Sequence, residues 1–249
     1  DTTVLATLEL RYQIKCETHV AESQLAVEQP EGIELFLDDQ PVTVKDCGYW
    51  VDESIRTIQL PELAKGEHEI LIKIAYRRKS NVEWCYLLGD FGVRLAGRDA
   101  VVTPPVRELA FDDWTHQGLP FYTGNVTYHC DFECAEAEEV KLRVPHFSGA
   151  MVDAKLDDQA TVDIPFAPFE AELGHLPAGE HKLDITLYGN RHNAFGPLHW
   201  AKPASWVGPG AWRTKNDAWS YEYLNKRPMG IQSAPRLYTK YVQNEFTIK

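Results

Sequence analysis

Leu60-Pro61-Glu62-Leu63-Ala64-Lys65-Gly66-Glu67-His68, followed by Glu69-Ile70-Leu71-Ile72-Lys73-Ile74-Ala75-Tyr76, is a turn feeding a strand, and the chain uses it twice. Gly174-His175-Leu176-Pro177-Ala178-Gly179-Glu180-His181 leads into Leu183-Asp184-Ile185-Thr186-Leu187-Tyr188 in the same way. Upstream of each copy lies a second shared word, Leu37-Asp38-Asp39-Gln40 and Leu156-Asp157-Asp158-Gln159. The Leu-Asp-Asp-Gln words are 119 residues apart and the Gly-Glu-His words 113 apart, which places one length change within Pro41 to Leu60. Loops absorb such changes easily. Ordered matches at a fixed period mark a repeated structural unit. The reading is two tandem domains of one fold, 1–103 and 104–249, with Val101-Val102-Thr103-Pro104-Pro105 as an extended, rigid start to the linker.

The class of that fold follows from periodicity. Leu5 to Ile14 alternates apolar and polar residues, as a half-buried strand does. Ser23–Glu28, Ile33–Leu37, Ile55–Leu60 and Glu69–Tyr76 read as further strands, separated by Gln29-Pro30-Glu31-Gly32, by the Asp38-Asp39 hairpin and by Lys65-Gly66-Glu67-His68. In the second copy, Phe121 to Phe132 alternates again, after a short helix or turn expected within Arg107 to Trp114. No window supports an amphipathic helix of ten residues. Short strands with turn signals at this spacing predict an all-β chain of β-sandwiches.

Composition bounds the partners. The 249 residues hold 37 acidic against 25 basic side chains, a net charge of −12. A basic footprint for phosphates is absent, so nucleic acid is not an expected partner, nor is an anionic membrane surface. No apolar run approaches the ~20 residues that span a bilayer, and no leader pattern precedes the first strand. Five cysteines (Cys16, Cys47, Cys85, Cys130, Cys134) are odd in number and form no paired framework, which favours free thiols and a reducing, cytoplasmic compartment. Cys130 and Cys134 lack a second ligand pair nearby, so they read as buried apolar residues rather than half of a metal site. The Asn125-Val126-Thr127 sequon falls in an expected strand and reads as incidental.

Both copies resemble the galactose-binding-like jelly roll found beside the catalytic barrels of large glycoside hydrolases. The resemblance rests on the strand, Leu-Asp-Asp-Gln hairpin and Gly-Glu-His strand entry, and it covers nearly the whole chain. Asp113 to Gly124 and Gly189-Asn190-Arg191-His192-Asn193 are similar to accessory sandwiches of family 2-like and α-L-rhamnosidase-like enzymes. The resemblance implies a non-catalytic accessory region, with the catalytic domain of a parent polypeptide and a carbohydrate as partners. It does not extend to the barrel that would hold catalytic carboxylates.

The residues agree with that absence. The adjacent pairs Asp38-Asp39, Asp112-Asp113 and Asp157-Asp158 suit turns rather than two carboxylates facing a glycosidic bond. No nucleophile elbow, dinucleotide fingerprint or phosphate loop occurs. No catalytic residue, cofactor or metal is therefore expected.

One stretch departs from the repeat. Gly189 to Tyr223 holds Trp200, Trp206, Trp212 and Trp219 among Pro and Gly residues that break both helix and strand. Taking Tyr76 opposite Tyr188 and Trp84-Cys85-Tyr86 opposite Trp219-Ser220-Tyr221, residues 194–218 read as an insertion between two late strands. Aromatic faces for sugar C–H groups, with polar side chains to orient hydroxyls, give a candidate carbohydrate site of Arg191, His192, Asn193, His199, Trp200, Trp206, Trp212, Arg213 and Asp217. Packing against a neighbouring catalytic domain is the competing use of the same rings. Trp219 and Tyr221 alternate like a strand and are expected to pack.

Overall fold

The computed structural model describes residues 3–80, 82–202, 219–239 and 246–247. The chain forms two compact units, Asp1–Val106 and Arg107–Lys249. The boundary lies beyond the Pro-Pro pair because the Gly92 amide donates to the Pro104 carbonyl, which ties that stretch to the first unit.

The first unit runs β1 (Ala6–Cys16), β2 (Ser23–Glu28), β3 (Ile33–Leu37), β4 (Gln40–Val42), β5 (Asp46–Trp50), β6 (Asp52–Leu60), β7 (Gly66–Tyr76), β8 (Tyr86–Gly89), β9 (Gly92–Ala96) and β10 (Asp99–Thr103). The second runs β11 (Val126–Cys134), β12 (Ala137–Arg143), β13 (Phe147–Ser148), β14 (Met151–Leu156), β15 (Val162–Ile164), β16 (Glu170–Leu176), β17 (Gly179–Tyr188), β18 (Gly230–Ile231), β19 (Arg236–Thr239) and β20 (Phe246–Thr247). Helix among the described residues is confined to single turns at Trp114–His116 and at α1, His192–Phe195. None is long and apolar enough to cross a membrane.

Each unit is a β-sandwich. Sheets β4-β3-β7-β1-β10-β9 and β5-β6-β2-β8 enclose the first core, and β11-β17-β14-β15 and β16-β12-β19-β20 the second. Inward residues alternate along the strands, Leu35, Leu37, Ile70 and Ile72 facing Leu25, Ile58 and Leu60 in one unit. Ala154, Leu156, Leu183 and Ile185 face Leu142, Leu173 and Leu237 in the other. Fully burying one such side chain contributes about 1.5–3 kcal/mol. The run β4-β3-β7-β1 corresponds strand for strand to β15-β14-β17-β11, and β6-β2-β8 to β16-β12-β19.

The shared words prove to be one device. Asp38 and Asp39 both take positive φ at the hairpin, the backbone that a two-residue turn between twisted strands demands. From that turn Asp38 reaches β7: Oδ1 accepts from the Glu69 amide at 2.8 Å, and Oδ2 meets His68 Nδ1 at 2.7 Å. His68 Nε2 lies 2.8 Å from the Ala64 carbonyl. In the second unit Asp157 accepts from the Lys182 amide at 2.8 Å and meets His181 Nδ1 at 2.8 Å, while His181 Nε2 lies 2.9 Å from the Pro177 carbonyl. Gly66 and Gly179 enter both strands at φ near +145°, where only glycine is unstrained (148° and 142°). These carboxylates are turn-to-strand pins.

Register corrects the repeat in two places. Leu8↔Ile74 and Val126↔Leu187 pair at one offset along the whole strand, so Tyr188 answers Ala75 and Gly189 answers Tyr76. Pairing Tyr76 with Tyr188 would need a one-residue slip, which turns every side chain to the wrong face. The strand pairing with β2 is β8, and the one pairing with β12 is β19, so Trp84-Cys85-Tyr86 is not answered by Trp219-Ser220-Tyr221. The segment between the paired strands is 77–85 in the first unit and 189–235 in the second, so the added stretch is far longer than 194–218. The alternating run from Phe121 becomes strand only at Val126, because residues 119–124 form turns around the Tyr122 hydroxyl bond to the Asn125 carbonyl.

All five cysteines are free thiols. Cys130 and Cys134 are buried on β11, and burial pushes the Cys130 thiol up to about 11. No group of three or more His, Cys, Asp or Glu able to hold a metal occurs among the described residues.

Candidate functional site

The 189–235 excursion leaves the sandwich at the end where β17 finishes and β11 begins. Gly189 sits there because a Cβ would collide with the carbonyl oxygens of Gly124 and Thr123. Gly189→Ala is expected to destabilise the protein by about 2 kcal/mol, since backbone rather than a pliable side chain must move. Urea unfolding checks this, and an unchanged midpoint would show that the two turns separate freely.

Beyond Gly189 the chain turns into α1. Asn190 accepts from the His192 amide at 3.0 Å, and Arg191 reaches toward Thr123 Oγ1 at 3.5 Å. His192 Nε2 donates to the Asn225 carbonyl at 2.8 Å. Asn193, 1% exposed, gives its amide to the Arg227 carbonyl at 2.8 Å and accepts from the Arg227 N–H at 3.0 Å. These bonds close the outgoing arm on the returning one. Asn225 adds Nδ2 to the Pro197 carbonyl and its own amide to the Leu198 carbonyl, and a bridge joins Trp200 to Trp219. The return is anchored on the lead-in to β11, where Asp113 accepts from the Met229 amide at 3.1 Å and the Trp114 amide donates to Met229 O at 2.8 Å.

On this frame stands a ladder of rings. His199 lies 4.6 Å from Trp219 and 4.7 Å from Tyr223, and Tyr223 lies 4.9 Å from Phe121. Tyr221 meets the edge of Trp219 and is 72% exposed. His199 Nδ1 bonds the Ser220 carbonyl at 3.1 Å. Burial lowers its pKa against the opposing pull of backbone hydrogen bonds at Glu222 and Ser220. The ring stacks between Trp219 and Tyr223. Lys226, whose pKa burial also lowers, donates to Thr115 Oγ1.

The residues expected from sequence separate into four groups. His199 and Trp200 stand at the ladder, while His192 and Asn193 are committed to the backbone of the returning arm. Arg191 borders Thr123 at the same end of the unit. Trp206, Trp212, Arg213 and Asp217 lie outside the described residues. Residues 221–222 form a bend, no strand pairs with 220–223 among the described residues, and Tyr221 is exposed instead of packed. Phe121 and Tyr223 join the site although the sequence signalled only their alternation. Asn225 and Arg227 gave no signal, since they act through backbone groups.

No family model matches this chain, and no curated protein does. Several solved structures bear a distant likeness, among them the following two. A rhamnosidase from Novosphingobium sp. PP1Y has 15% identity and a TM-score of 0.34 over 92% of this chain, which spans only 22% of that one. An anti-sigma factor domain-containing protein has 10% identity and a TM-score of 0.27, over 97% of this chain and 82% of that one.

Proposed function

We propose that the chain is a non-catalytic, carbohydrate-binding accessory region of a glycoside hydrolase, built from two copies of one galactose-binding-like jelly roll. The observation behind this reading is the ring ladder His199–Trp219–Tyr223–Phe121, with Tyr221 exposed beside it, on an excursion that the first unit lacks. Aromatic faces bind the apolar C–H face of a sugar, and neighbouring carbonyl, hydroxyl and amide groups orient its hydroxyls. Of the Asp pairs, Asp38 and Asp157 hold histidines and Asp113 caps the turn at Trp114.

A second reading is an architectural face for a catalytic domain. It is favoured by Tyr221 and Leu224, 72% and 55% exposed within four residues. Titration with rhamnose- and galactose-containing oligosaccharides, followed by tryptophan fluorescence, separates the two. A saturable shift is expected, and Tyr221→Ala should weaken it about tenfold, as loss of a ~1.5 kcal/mol stacking contact implies. Absence of any shift at millimolar glycan would sink sugar binding and leave the architectural reading.

A further inference from the structure

The same end of the first sandwich is built differently, and there the molecule has a cleft. Leu10, Ile33 and Ile74 face inward between the sheets but stay half-buried, and Tyr12 is 37% exposed. By register, Leu10 opposite Ile72 answers Tyr128 opposite Ile185, while Ile33 and Ile74 answer Val152 and Leu187. Those second-unit residues are sealed, Val152 and Leu187 at 0% and Tyr128 at 7%. The seal comes from outside the shared strands. Phe111 stacks on Tyr128 at 5.0 Å and 24°, and Trp114 and Met229 pack beside it. The first unit leaves a cavity of about 210 Å³ at the corresponding place, with Val27 and Ile72 completing an aliphatic floor.

We propose that this cleft is a docking site for one aromatic side chain on an extended segment of a partner polypeptide, seated where Phe111 sits in the second unit. Size supports a single ring, since an apolar cavity of ~150 Å³ takes benzene. The aliphatic side chains Leu10, Val27, Ile33, Ile72 and Ile74 give an apolar ring its contact, with the polar groups of Tyr12, Gln29 and Ser80 also in the lining. Extended polypeptide is the carrier because Phe111 itself rides on residues 107–113, which form no helix or strand. The rim is acidic on balance, with Glu28, Glu31 and Glu83 against Arg77 and Lys79, so basic residues beside the ring are favoured.

The test uses the full chain and a synthetic heptapeptide with one phenylalanine between lysine pairs, read by methyl NMR. Saturable shifts are expected at Leu10, Val27, Ile33, Ile72 and Ile74, with binding about tenfold weaker for the same peptide carrying alanine. Leu10→Tyr, which installs the residue that Phe111 stacks on in the second unit, should tighten binding while amide dispersion reports an intact fold. Glu31→Lys with Glu83→Lys, both at exposed positions, should weaken binding several-fold and cover the case in which Leu10→Tyr does not fold. No methyl shift at millimolar peptide, or equal binding by wild type and both variants, overturns the proposal. Self-association of the unliganded chain that shifts the same methyls would also overturn it, by identifying a second copy as the occupant.

Discussion

Replacing His181 by alanine is expected to lower the thermal midpoint by roughly 6 °C. The substitution removes two charge-assisted hydrogen bonds from a buried ring and strands the Asp157 carboxylate at the hairpin. Together these are worth on the order of 2 kcal/mol, after trimming for the partial exposure of Asp157, and 1 kcal/mol moves a domain of this size by about 3 °C. Calorimetry is the measurement, and a midpoint within a degree of wild type would show that the pin contributes nothing.

The same pin should make stability depend on pH with a defined sign. Both ring nitrogens of His181 face acceptors, a carboxylate and a carbonyl, so only the imidazolium, with hydrogen on each nitrogen, satisfies both. The Asp157 hydrogen bond, then the Pro177 carbonyl, raises the pKa of His181 above the ordinary 6.5. At His68 burial acts the other way, but bonds to Asp38 and the Ala64 carbonyl outweigh it and the pKa is again raised. A raised histidine contributes fully below 6.5 and loses that contribution as pH climbs through its folded value. Asp157 is held below its ordinary 3.8, first by the Lys182 amide, and its contribution fades only as pH falls through that lowered value. Stability should therefore be greatest between about pH 4 and 6.5 and decline above. Asp157→Asn offers a sharp comparison. An amide at that position can donate to Nδ1 of a neutral imidazole while still accepting from Lys182, so the alkaline decline should shrink by the share of the second unit. Asp38→Asn with Asp157→Asn should remove the share of both pins. An alkaline slope unchanged in the double variant would assign the titration elsewhere.

The second large effect concerns Asn193. Its removal takes both hydrogen-bond partners from the Arg227 N–H and C=O in a part-buried setting, at about 1.5 kcal/mol each. Asn193→Ala is expected to destabilise the second unit by roughly 3 kcal/mol and to speed amide exchange across 219–229, where the returning arm depends on it. Asn193→Asp should do no better, because a carboxylate oxygen would then face the Arg227 carbonyl. Under the carbohydrate-binding role proposed above, glycan response should fall in both variants, since the ring ladder includes residues of both arms. Exchange at 219–229 as slow as in wild type would show that the arms are held without this clip.

Much of the scaffold was legible because it is encoded locally. A two-residue hairpin with Asp at left-handed positions, a glycine at strand entry and alternating apolar residues each act over a few residues, so they can be seen in a linear string. The site was less legible. Trp200 and His199 announced themselves by residue type, but Asn225 and Arg227 serve through backbone groups, which carry no residue signature. Tyr221 alternates like a strand residue and yet is exposed, and no strand pairs with 220–223 among the described residues.

The string of residues alone determined an all-β chain, a strand–hairpin–strand word used twice, and an aromatic stretch that interrupts the second use. Only the tertiary structure decided what the word is for and how long the interruption is. Asp38 and His68 lie 30 residues apart, and their carboxylate–imidazole bond exists only once β3 and β7 pair side by side. The strand answering β8 is fixed by its ladder with β12, a long-range choice that similarity between Trp-Cys-Tyr and Trp-Ser-Tyr could not overrule. Local chemistry writes the elements; pairing and burial between distant segments settle which element answers which.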